Sequence, residues 1–154
     1  MPRHRIAAEA VIDAPPAAAY AVIADYRDGH PRILPRPPFV SLEVEEGGVG
    51  AGTVIRFTMR MLGRTRTMRA AITEPQPGRV LVETDLDGDV VSTFTVEPVE
   101  DGRKSRITIV TEMNTLGRPL GWLQRRLVTR LLRPVYLREI AQLEAVAAER
   151  AKGG

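Results

Sequence analysis

The 154-residue chain contains no cysteine, which removes disulfides, thiolate catalysis and thiolate metal sites together. Its only histidines are His4 and His30, and neither has a partner at metal-ligand spacing, so no metal and no other cofactor is expected. No apolar run is long enough to cross a bilayer, and the opening MPRHRIAAEAVID lacks a signal-peptide apolar core. A cytoplasmic location is therefore the expectation. The glycine-rich stretch from Gly47 to Gly52 leads into a strand pattern and not into a helix N-terminus. It thus lacks the geometry of a phosphate cradle and reads as a hairpin turn or a lid. The net charge of +3 comes from cations that are nearly all arginine, with no nucleic-acid recognition module beside them, so no nucleic-acid partner is expected.

What is present is strongly patterned. The length suits one domain over residues 1–154, and 44% hydrophobic with 27% charged residues is ordinary globular composition. Arg5 to Asp13 alternates as a half-buried strand, and Ala14-Pro15-Pro16 stops it. Proline suits the first turn of a helix because its missing N–H would be unpaired there anyway. AAAYAVIADY then reads as a short helix, and Asp28-Gly29-His30-Pro31 breaks it before one further turn.

From Phe39 the period becomes two. FVSLEVEE, TVIRFTMRML, RTRTMRAAITE, RVLVETDL, VVSTFTVEPV and SRITIVTEM are separated by short glycine, proline and aspartate turns, which favours antiparallel hairpins. A long amphipathic helix closes the chain, opening at Gly117-Arg118-Pro119, running to about Arg150, and kinked by Pro134. Only that helix is long enough to cover the apolar face of six strands. The pattern predicts an α+β domain in which a seven-stranded antiparallel sheet curls around the closing helix. The first strand joins one edge, and the two short helices carry the chain to the far side.

The segments VIDAPPAAAYAVIADY, GAGTVIRF and FTVEPVEDGRKSRITIVTEM, in this order, resemble the START-like (SRPBCC) superfamily, in its polyketide cyclase/dehydrase and lipid-transport branch. The resemblance covers essentially the whole chain and implies the helix-grip fold. It also implies a hydrophobic small molecule held between sheet and long helix, with some members cyclising or dehydrating polyketides and others only carrying lipids. ADYRDGHPRILP is similar to the coenzyme Q-binding subgroup, with Ile33 where that subgroup usually has an aromatic.

The alternation alone gives an inward set of Val40, Leu42 and Val44; Ile55, Phe57, Met59 and Met61; Met68, Ala70 and Ile72; Val80, Val82 and Thr84; Ser92, Phe94 and Val96; and Ile107, Ile109, Thr111 and Met113. Glu46 and Glu74 at strand ends aside, every strand carboxylate, Glu83 included, then falls on the solvent side. General acid–base chemistry needs ionisable groups inside the pocket. This interior offers only Ser92, Thr84, Thr111 and Arg66 at the rim, so no catalytic residue is assigned. Binding is the expected function, and a polyketide cyclase or dehydratase is the alternative.

The candidate ligand-binding residues are Tyr26, His30, Phe57, Met59, Met68, Phe94, Met113, Trp122 and Tyr136. His30 is either a guard of the pocket mouth or a turn residue ahead of Pro31. Methionine is flexible and polarizable, so four inward methionines fit an adaptable cavity as well as ordinary core filling. Trp122 and Tyr136 either line the cavity or simply pack. Arg125, Arg126, Arg130, Arg133 and Arg138 on the closing helix would suit an anionic membrane, but a solvated face is the expected role.

Overall fold

The computed structural model describes residues 3–114 and 121–153. The order is β1 (Arg3–Ile12), α1 (Pro16–Ala24), α2 (Gly29–Ile33), β2 (Phe39–Glu46), β3 (Val54–Met61), β4 (Arg64–Gln76), β5 (Val80–Asp85), β6 (Val91–Val99), β7 (Lys104–Asn114) and α3 (Gly121–Gly153). The strands form one seven-stranded sheet in the order β1-β7-β6-β5-β4-β3-β2, every neighbouring pair antiparallel. This is the arrangement the pattern predicts, and the helix-grip fold that the resemblance implies.

Consecutive strands from β2 to β7 pair through short turns, so the only long journey in the sheet is from β1 to β2. Those two strands are its opposite edges. Pro15 caps α1 in an extended conformation and Pro16 begins it, and the two short helices then span the gap. Between them Asp25 acts as a bracket. Its carboxylate accepts hydrogen bonds from the backbone N–H groups of Arg27, Asp28 and Gly29 and from the Arg150 guanidinium at 2.5 Å. Burial alone would raise the Asp25 pKa, but Arg150 and these N–H donors outweigh it and hold the group below its ordinary value.

The long helix grips with one part of its length. Leu132, Val135, Tyr136, Ile140, Leu143, Val146 and Ala147 are buried, whereas Trp122, Leu123 and Leu127 are exposed. The stripe expected from the start of the helix therefore meets the core from Val128, which is partly buried, and is buried from Leu132 onward. The helix is continuous through Pro134. Its expected opening at Gly117-Arg118-Pro119 lies outside the described residues.

Two strand faces differ from the alternation. In β2 a bulge between Phe39 and Ser41 shifts the register, so Phe39 and Leu42 pack toward the core while Val40 is 48% exposed. In β5 the whole face is inverted. Leu81 is fully buried, Thr84 is exposed, and Glu83 turns inward. The reason is pairing: Leu81 stands opposite Phe94 and Glu83 opposite Ser92 and Ile72. Directly opposed residues share a face, so β5 must follow its neighbours whatever its own apolar count.

Candidate functional site

The concave face of the sheet and the inner face of α3 do not meet everywhere. Between them lies a cavity of about 310 Å³, at the small end of the range of ligand pockets. Its walls are overwhelmingly apolar. β3 contributes Ile55, Phe57, Met59 and Met61, β4 adds Met68, β6 adds Phe94, and β7 adds Ile109 and Met113. Leu132 and Tyr136 of α3 close the opposite side. The four methionines other than Met1 thus face one space. Arg64 and Arg66 line it from the exposed end of β4 and have no ion-pair partner among the described residues.

His30 lines the cavity and is 1% exposed, so it is neither a turn residue in solvent nor a gate at an open mouth. Its ring stacks on Tyr26 with centroids 4.3 Å apart and meets Phe94 edge-on at 5.4 Å. Its Nδ1 lies 2.7 Å from the Ile23 carbonyl, to which it donates. Burial pushes its pKa down to about 4, so the ring is neutral at physiological pH.

The Glu83 carboxyl faces Nε2 of His30 at 3.7 Å and also lines the cavity. Burial pushes its pKa up to about 7. A second carboxyl, Glu139 on α3, is 2% exposed and lines the same space. Burial, reinforced by the charge of Glu83, keeps its pKa well above the ordinary carboxylate value. Beside it the Tyr136 hydroxyl, Thr111 and Ser92 form a hydroxyl ladder with steps of 2.6 and 2.8 Å.

The sequence-predicted site residues divide accordingly. His30, Phe57, Met59, Met68, Phe94, Met113 and Tyr136 line the cavity. Tyr26 does not; it is buried behind His30 and braces the ring. Trp122 is 62% exposed on the free part of α3 and away from the cavity, because burial along that helix begins further on. The expectation that strand carboxylates all face solvent is overturned by Glu83. The helix carboxylate Glu139 had a legible signal: with Leu132, Val135, Tyr136, Ile140 and Leu143 it completes a stripe with helical spacing.

The glycine-rich stretch is an anchored turn and not a lid. Gly48 and Gly50 bond through their backbones to Tyr26 and Ala24, and the Ala51 N–H donates to Glu74, whose carboxylate also accepts from the Tyr20 hydroxyl. Among the described residues no three metal-ligating side chains converge. No helix among them is long and apolar enough to cross a membrane.

Comparisons with known proteins agree with this architecture. The solution structure of KanY protein superposes with a TM-score of 0.83 at 27% identity, covering 96% of this chain and 99% of that one. The Zhui aromatase/cyclase from Streptomyces sp. R1128 gives 0.78 at 16% identity, over 97% and 96% of the two chains. A START superfamily protein from Mycobacterium smegmatis gives 0.72 at 12% identity, over 95% and 98%. The last two are likenesses of fold alone. No curated protein sequence matches. The family model for polyketide cyclase / dehydrase and lipid transport matches residues 3–148, and the chain belongs to that family.

Proposed function

We propose that this protein, as one cytoplasmic domain, binds a hydrophobic small molecule, lipid-like or polyketide-like, in the cavity between the sheet and α3. The observation that carries this reading is the cavity itself. Protein interiors are normally packed as densely as organic crystals, so an apolar space of about 310 Å³ walled by four methionines is not a packing residue. Native mass spectrometry of freshly purified protein should show a co-purifying small molecule, and Met59→Arg should abolish uptake of an apolar fluorescent probe. Unchanged probe affinity in a folded Met59→Arg variant would place binding elsewhere.

One observation favours a second reading, a cyclase or dehydratase working in the same cavity. The carboxyls of Glu83 and Glu139 and the imidazole of His30 bring acid–base groups inside it, which an enzyme of this kind needs. Carriage and turnover separate on His30→Gln. A carrier keeps its affinity, whereas an enzyme using His30 loses on the order of 10²–10⁴ in rate while still binding.

A further inference from the structure

Two features of the cavity are unexplained by a merely apolar ligand. The first is Glu139. Its side chain is buried, lines the cavity, and has neither hydrogen bond nor ion pair among the described residues. Buried polar groups are nearly always satisfied, so a carboxyl left facing an apolar space calls for a partner that enters with the ligand.

The second is the arrangement of His30 and Glu83. A carbonyl oxygen can only accept, so the 2.7 Å contact with Ile23 fixes the hydrogen of His30 on Nδ1. The neutral ring then presents the bare lone pair of Nε2 to Glu83 Oε1, 3.7 Å away. Two acceptors facing each other in a desolvated site repel, unless the carboxyl carries a proton. The site therefore favours Glu83 as the neutral acid. The other ionisable groups around the two carboxyls are Tyr26 from the turn before α2 and Tyr136 from α3, with Arg64 and Arg66 of β4 along the lining. Tyr136 is already engaged by Thr111 at 2.6 Å. No cation contacts either carboxyl among the described residues, and burial raises the pKa of both.

We propose that Glu139, supported by the proton-holding Glu83–His30 pair, donates a hydrogen bond to a carbonyl oxygen of the ligand, so that the cavity selects apolar ketones over hydrocarbons of the same shape. The inference rests on the reading that the cavity binds a hydrophobic small molecule, and it adds a polar requirement at one wall. A ligand bearing an ammonium group would need the carboxyls ionised in an apolar enclosure already lined by two arginines, so the donor role is the favoured one.

The test compares three probes of one shape: 2-acetylnaphthalene, 2-ethylnaphthalene and 2-naphthylmethylammonium. Each is titrated against wild type, Glu139→Leu and Glu139→Gln at pH 6. The ketone-to-hydrocarbon affinity ratio should fall roughly three- to tenfold in Glu139→Leu, the weight of one neutral hydrogen bond. Glu139→Gln, which keeps an N–H donor, should retain most of the preference. Glu139→Leu should also melt no lower than wild type, because the carboxyl it replaces has no partner to lose.

An unchanged ratio in Glu139→Leu, tightest binding of the ammonium probe, or collapse of the Glu139→Leu fold would each overturn the proposal. Failure of wild type to bind any of the three would instead strike the cavity-binding reading beneath it, and the proposal would go with it.

Discussion

The Glu139 carboxyl is buried and that of Glu83 is largely so, and burial penalises the ionised form of each. The consequence for stability has a definite sign. In the unfolded chain both groups release their protons near the ordinary carboxylate value, whereas in the folded state Glu83 holds its proton to about pH 7 and Glu139 holds its own well above the ordinary carboxylate value. The folded state thus binds more protons above about pH 4.5, and stability should fall as pH rises from there. His30 works the other way: its folded pKa near 4 makes stability fall as pH drops below about 6.5. It offsets one of the two carboxyls on the acid side only. Denaturant unfolding at pH 5.5 and pH 8.5 should show wild type weaker at the higher value, and Glu83→Gln should remove about 2 kcal/mol of that loss at most. Equal dependence in the two proteins would mean that Glu83 titrates normally. Gly29 is a second residue whose environment dictates its identity, since an added Cβ would lie 2.6 Å from the Val22 carbonyl oxygen and 2.9 Å from the Arg150 guanidinium. Gly29→Ala should cost about 1–3 kcal/mol in the same assay.

At the scale of the elements, the turns govern what the strands cannot decide alone. FVSLEVEE and RVLVETDL both alternate, and both were legible as strands with nearly correct limits. The inward face of β2 was legible at Leu42 and Val44 but not at Phe39 and Val40, and the inward face of β5 was not legible. A valine on either side of Leu81 makes the apolar count favour the wrong face, and the register is set by the partners that the turns present. In β2 the bulge after Phe39 adds a residue that no alternation anticipates. β6 and β7, bordered by clean pairing on both sides, followed their sequence pattern throughout, and so did β3, whose partner β2 carries the bulge. The long helix shows the same limit. Its apolar spacing runs from the start, but the spacing cannot say where along its length the sheet is. Leu143 is 1% exposed and Leu127 is 47% exposed. Leu143→Ala should therefore cost about 2–5 kcal/mol, while Leu127→Ala should stay within about 0.5 kcal/mol. A comparable loss at both positions in denaturant melts would show that something covers the free part of the helix.

Across the whole molecule, the fold was readable because the order of elements leaves few solutions. Six hairpin-linked strands, one early strand and one long helix close only if the early strand takes an edge and the helix takes the concave face. The cavity was readable only in outline. Inward methionines pointed to it, yet its polar wall depends on one inverted strand and on one glutamate within the stripe of a helix. Its existence has a thermodynamic consequence that mutation is not needed to reveal. A ligand that fills the space binds the folded state alone, so a hundredfold excess over its dissociation constant should stabilise the protein by about 2.7 kcal/mol. Thermal melts with and without the naphthyl ketone would show this as a concentration-dependent rise, absent in Met59→Arg.

The bracket at Asp25 also sets a timetable. Its carboxylate is met by Arg150, 125 residues later in the chain, and among the described residues β1 pairs with β7 alone, with Arg3 opposite Asn114. A ribosome delivers Asp25 early and Arg150 late. During that interval β1 has an unpaired edge and the α1–α2 turn lacks its cation, although the hairpins from β2 to β7 can form locally as each emerges. On this order the sheet from β2 to β7 can assemble before its clasp, and α3, translated after every strand, closes both the cavity and the fold.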